Sequence, residues 1–226
     1  MASLPVQFRK APPTIVNYDW ADISDGMGYK TIYAGTISKN DFTTSGGILS
    51  TESFYSQNVL SASGANVNAT YGKHHEQNFD SEINKNLTLK GNAIFQIPMG
   101  VESRDGGGTD FVFYPNVIIK QVKDGVETKI ATASGAQVYT TASLTTYERE
   151  VAYFTIGGEL PRTILRKGNK LRLTIEWWGR TNSTGGSYVM IAHDPANRYQ
   201  CDFDNKDWIV DNRTDLIFYM PLEIDL

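Results

Sequence analysis

The sequence predicts an all-β fold: a single jelly-roll-like antiparallel β-sandwich over residues 18–226, preceded by an extended N-terminal arm over residues 1–17. Three observations carry this. Several runs alternate apolar and polar residues with a period of two, the pattern of a half-buried strand. Turn-forming Gly, Asn, Asp and Pro recur between those runs. No segment carries a sustained apolar stripe at the three-four spacing of a helix.

The arm comes first. Pro5, Pro12 and Pro13 oppose helix, and each biases the residue before it toward extended geometry. Leu4, Val6 and Phe8 alternate as on a strand with one face against a partner surface. These six residues form the expected assembly arm. Residues 29–34 make a short β-type run, Ser45-Gly46-Gly47 reads as a turn, and residues 48–61 are again strand-like. Residues 62–78, rich in Ser, Gly, Asn and His, read as a long exposed loop.

The next strand is well marked. Leu87, Leu89, Gly91, Ala93, Phe95 and Ile97 share one parity, and Pro98 is expected to end the run. Residues 104–108 are a flexible turn. Residues 111–122 are strongly β-forming, with Pro115 implying an edge, a bulge or a break. Asp124-Gly125 fits a tight hairpin turn, with 126–133 returning from it. A mixed strand over 143–157 follows, then a turn at Lys167-Gly168-Asn169. Leu171, Leu173, Ile175 and Trp177 then alternate with Arg172, Thr174, Glu176 and Trp178. Residues 188–192 and 216–224 complete the set, the last broken at Pro221. The count is about eight to ten strands, which suits a sandwich or jelly roll. No repeat of blade length supports a propeller, and no composition shift marks a second domain.

Composition narrows the function classes. The chain has 226 residues, a formal net charge of -4 and a single cysteine, Cys201. One cysteine excludes an internal disulfide framework and a cysteine-built zinc site. Mild acidity disfavours a broad face for nucleic-acid phosphates. No apolar run approaches the ~18 residues of a membrane helix. The first residues place Arg9 and Lys10 after the few apolar ones, the reverse of a secretory signal, so synthesis in a cytoplasm is expected.

Candidate chemistry is sparse. His74-His75-Glu76 falls in the predicted polar loop, and adjacent residues on an extended chain point to opposite sides, so the pair is expected to be solvated rather than to share a metal. His193-Asp194-Pro195 follows a strand and reads as a turn, since no G-x-S-x-G elbow and no suitably placed cysteine supplies a nucleophile. Asp202, Asp204, Asn205, Asp207 and Asp211 are rich in oxygen, but Lys206 interrupts the calcium-loop pattern. Glu148 and Glu150 flank Arg149 and read as a solvated edge rather than a glycosidase pair. The run Gly106–Gly108 lacks the lysine and helix of a phosphate loop. Of Trp177 and Trp178, only one can enter a sandwich core; the other is expected outside, covered by a loop or the arm, or free to anchor an interface or stack on a sugar ring. Trp178 and Trp208 are the candidate interface or glycan contacts. No catalytic residue, cofactor site or metal site is assigned.

The segments 18–35, 83–101 and 167–198, together with the proline-bearing arm and Ser/Thr/Asn/Gly-rich loops, resemble virion structural proteins of tailed bacteriophages, of the capsid-decoration, head-fibre or tail-associated type. That resemblance implies a non-enzymatic component of a virus particle, working by symmetric assembly and arm exchange as a homo-oligomer among other virion proteins. It implies no cofactor and neither nucleic acid nor membrane as partner. The run 167–178 also resembles the late strand of galactose-binding-like jelly rolls, which keeps a carbohydrate-binding module as the alternative.

Overall fold

A computed structural model describes residues 27–38, 45–58, 60–65, 67, 70–104, 108–182, 186–197 and 213–223. The predicted arm with Leu4, Pro5, Val6, Phe8, Pro12 and Pro13, the 202–211 acidic segment, Cys201 and Trp208 lie outside the described residues.

The described chain is all-β, with no helix among the described residues. Its strands are β1 (Met27–Ser38), β2 (Ser45–Ser50), β3 (Leu60–Ala65), β4 (Gly72–Glu82), β5 (Leu87–Ser103), β6 (Phe111–Lys123), β7 (Val126–Ser134), β8 (Val138–Tyr139), β9 (Arg149–Leu165), β10 (Lys170–Thr181), β11 (Ser187–Ala192) and β12 (Leu216–Glu223). They join one sheet in the order β3-β11-β5-β12-β1-β2-β4-β10-β6-β7, with β8 added to β6 and β9 to β5. The expectation of a purely antiparallel arrangement is corrected. Strands β2 and β4 meet in parallel at Ile48 and Asp80, so the sheet is mixed.

The sheet folds over one apolar core. Phe113 on β6 meets Phe154 on β9 with ring centroids 5.9 Å apart, although these strands share no hydrogen-bonded ladder. A Cβ added to Gly158 on β9 would come within 2.8 Å of Ala133 on β7. Strand β5 organises one side. Strand β9 pairs along one of its edges, while β12 and then β11 share the other. From Ile97 to Ser103 its residues are buried on both faces.

Four prolines lie inside strands, and each sits where pairing on one side is interrupted. Pro98 falls between Gln96, paired to β12, and Met99, paired to β11. Pro115 falls between Phe113, paired to β8, and Asn116, paired to β7. Pro161 lies in a bulge, where the β5–β9 register jumps between Leu89 and Gly91. Pro221 lies where the β12–β5 register jumps between Tyr219 and Leu222. A residue without an N–H is tolerated where no ladder bond is lost. Pro98 therefore does not end its strand as expected, and the break expected at Pro221 is a shift in register within β12.

The predicted hairpin at Asp124-Gly125 is present. Both residues have positive φ, 51° and 80°, as a two-residue turn matched to strand twist requires. Two other expectations change. Gly46 and Gly47 belong to β2 rather than a turn, and a Cβ on Gly47 would lie 1.9 Å from the Asn78 carbonyl oxygen. Here glycine permits the close approach of β2 to β4. Most of the predicted 62–78 loop is β3 and β4; its polar residues serve strands that are only half-buried.

Trp177 is fully buried and stacks on Phe113, with centroids 5.5 Å apart and planes 9° from parallel. Its ring covers the space beside Gly179, where an added Cβ would lie 2.5 Å from Trp177 and 2.6 Å from the Val112 carbonyl oxygen. Gly179→Ala is therefore expected to lower unfolding free energy by about 1–3 kcal/mol through overpacking. Gly157→Ala, where an added Cβ meets nothing within 4 Å, should stay within about 0.5 kcal/mol of the parent. Urea titrations of both variants check this.

Candidate functional site

Polar groups collect at the seam where β3 and β11 approach β4. The register between β4 and β10 slips there: Trp177 pairs with His75 and Trp178 with Lys73. His74 is thus an extra residue, and both histidines stand against one tryptophan. A bulge of this kind re-aims side chains. It removes the strict alternation by which the sequence placed the two histidines on opposite sides.

His74 turns to the edge of Trp177, with centroids 5.8 Å apart. Burial lowers its pKa, with the Gly179 backbone opposing. His75 turns to β3, where its Nε2 lies 3.0 Å from the Ser61 hydroxyl oxygen. Burial also lowers the His75 pKa, against the pull of the Glu76 charge. Ser61 pairs in register with Ile191, which belongs to the main core cluster while Met190 and Ala192 pack on the other face, so its side chain lies on the core side of β3.

His193 follows β11 on the same parity as Ile191. It is fully buried and meets Phe79 edge-on at 5.5 Å. Neither of its ring nitrogens has a hydrogen-bond partner among the described residues. Burial drives its pKa down to about 4, with the Asp194 charge opposing and His75 adding to the depression. His75 and His193 are therefore close enough to feel each other electrostatically. Beside them, Asp194 accepts from the Ser56 N–H at 3.3 Å, and Ser56 Oγ accepts from the Thr36 N–H at 2.8 Å. The turn expected at His193-Asp194-Pro195 exists, since the Asn197 N–H donates to the Asp194 carbonyl at 2.8 Å. It also buries the histidine, which the sequence reading did not foresee.

The arrangement offers a hydroxyl beside a neutral imidazole, the pairing from which a nucleophile and its base are built. No group of three or more His, Cys, Asp or Glu suited to a metal occurs among the described residues. Ser61 was missed because its partner is 14 positions away and the two strands share no ladder. The chemistry-bearing neighbour of a serine across such a seam leaves no local motif.

Trp178 lies on the other face, half-buried. Its Nε1 donates to Glu176 at 2.8 Å, and Asn116 donates to the same oxygen at 2.7 Å. Burial alone would push the Glu176 carboxyl up; hydrogen bonds from Asn116, Trp178 and Lys73 hold it below the ordinary value. Glu150, read as solvated, accepts from the Thr141 N–H at 2.8 Å, and Glu148 from the Thr145 N–H at 2.6 Å. Arg149 pairs with the fully buried Glu102.

No family model matches the chain, and no curated protein matches its sequence. Solved structures do match. An α-amino acid ester hydrolase aligns with a TM-score of 0.52 and 11% identity, over 86% of this chain and 36% of its own. A CocE/NonD family hydrolase from Staphylococcus aureus aligns at 0.43 and 10% identity, over 86% of this chain and 36% of its own. An aminopeptidase from a marine sediment Thaumarchaeota archaeon aligns at 0.47 and 7% identity, over 85% and 37%. The chain thus spans about a third of the length of the solved structures it matches.

These findings correct the expectation of a non-enzymatic bacteriophage virion protein. The fold is the one shared with the α-amino acid ester hydrolase. The physical reason is that short strands, polar loops and a proline-bearing arm belong to β-sheet domains in general. A missing G-x-S-x-G elbow excludes one way of presenting a serine, and not hydrolase chemistry as a class. No helix among the described residues is long and apolar enough to cross a membrane, and nothing supports a virion location.

All three histidines have folded-state pKa values below the unfolded one. The unfolded chain therefore binds protons first as pH falls through about 6.5. Stability is expected to be full above that pH and to decline toward pH 4, the value to which His193 is depressed. The His193 contribution to the slope is at most about 1.4 kcal/mol per pH unit. Urea midpoints at pH 7 and pH 5 should converge more in His193→Leu than in the parent.

Proposed function

We propose that this chain is the β domain of a hydrolase of ester or amide bonds, with Ser61 as nucleophile and His75 as its base. The single observation that carries the reading is the 3.0 Å contact between Ser61 Oγ and His75 Nε2. It occurs in a fold shared with an α-amino acid ester hydrolase. We also read the folded-over sheet as a jelly-roll-like sandwich; the facing of Phe113 and Phe154 across the core supports that form.

The chemistry follows from the geometry. With the ring proton on Nδ1, His75 Nε2 accepts the Ser61 hydroxyl proton as Oγ attacks the substrate carbonyl carbon. The carbonyl carbon–leaving-group bond breaks, and His75 returns the proton to the departing alcohol or amine. Water then attacks the acyl-serine, His75 takes a water proton, and Ser61 recovers it as the acid leaves. Burial assists by keeping His75 neutral, so that it can act as a base. Among the described residues β3 ends the sheet path, and we propose that backbone N–H groups of this end strand face the oxyanion.

The test is steady-state hydrolysis of a panel of aminoacyl and short-chain acyl esters. The parent should turn over at least one ester. Ser61→Ala and His75→Gln should each lower kcat at least ~100-fold, with circular dichroism unchanged. The acid limb of the kcat/KM profile should fall below about pH 6.5. Turnover that survives Ser61→Ala contradicts the assignment of the nucleophile, and a parent inert toward the whole panel contradicts the hydrolase reading.

A further inference from the structure

We infer that the opposite end of the molecule holds a binding site for a small aliphatic carboxylate. A cavity of about 440 Å³ opens there between β1, β2, the β4–β5 turn, and one end each of β10 and β12. That volume lies within the range of small-molecule sites, roughly 300–1,000 Å³. Residues six apart on β4, His75 and Ser81, separate the two ends by about 20 Å at strand rise, so this cavity is distinct from the Ser61–His75 seam.

The lining divides by chemistry. Leu49, Leu89, Leu171 and Met220 form an apolar floor continuous with the core. Lys30 and Lys85 stand at the cavity with Glu82 as the acidic residue of the lining. Neither lysine is in an ion pair with a described residue. Two ammonium groups against one carboxylate leave net positive charge beside a greasy pocket. That combination suits an anionic headgroup carried by an alkyl tail, because the tail gains from leaving water while the head stays at the charged rim. A doubly apolar ligand would leave the lysines without a counter-charge, and a short polar acid would leave the floor unfilled.

The site follows from the fold as well. Leu87 and Leu89 open β5, and Ile83, Asn84 and Lys85 form the turn before it. That turn is fixed by backbone bonds from Ile83 to Asn169 and from Gly168 to Ile83, both 2.9 Å. Lys85 is thus carried on a turn braced by the β9–β10 connection.

Isothermal titration of the full chain with decanoate below its micelle concentration tests the inference, with decanol and acetate as comparison ligands. One-to-one binding of decanoate is expected, with decanol and acetate each at least about tenfold weaker. Lys30→Glu combined with Lys85→Glu should weaken decanoate at least about tenfold, and Leu87→Trp should do the same by filling the cavity. Ser61→Ala should leave binding unchanged, which separates this site from the proposed hydrolytic one. No heat with decanoate, decanol bound as tightly as decanoate, or affinity unaltered by both the lysine reversal and Leu87→Trp would overturn it.

Discussion

The seating of Trp177 is the contact on which both the fold and the seam depend. Its indole fills the space a side chain at Gly179 would need, stacks flat on Phe113 and receives His74 edge-on. Phe113 in turn meets Phe154 on the facing strand. One aromatic chain therefore links β4, β10, β6 and β9 through the core. Aromatic pairs of this kind add about 0.5–1.5 kcal/mol each beyond the area they bury. The bulge lies opposite Trp177 as well: His74 is the extra residue, while His75 keeps its pairing with Trp177 and reaches Ser61.

Backbone pairing sets the other constraint. A strand buried on both edges needs a donor at each ladder position, and proline has none. Pro98, Pro115, Pro161 and Pro221 all occupy places where a neighbour ends or slips. The long strands can then run through proline without orphaning a buried carbonyl. Strand β5 uses this device to hold β9 on one edge while passing from β12 to β11 on the other.

These constraints explain what the amino-acid sequence makes legible. Alternation at 87–97 and 171–178 locates β5 and β10, and Asp124-Gly125 locates the hairpin, because each signal is local. Trp177 was recognisable as half of a pair with one inward member. The continuation of β5 past Pro98 was hidden, since it depends on which strands lie alongside. Strands β3 and β4 were hidden because their half-buried faces carry Ser, Asn and His instead of a clean apolar row. The seam was hidden for a further reason. Ser61, His75 and His193 come from three strands or strand ends, and only folding brings them together.

Direct covalent capture is the sharpest test of the seam as a nucleophile–base pair. The intact protein would be incubated with a fluorophosphonate at neutral pH and mapped by peptide mass spectrometry. The account predicts one adduct, on Ser61, formed far more slowly when His75 is replaced by glutamine. An absent adduct, an adduct on another serine, or labelling of Ser61 indifferent to His75 would contradict it.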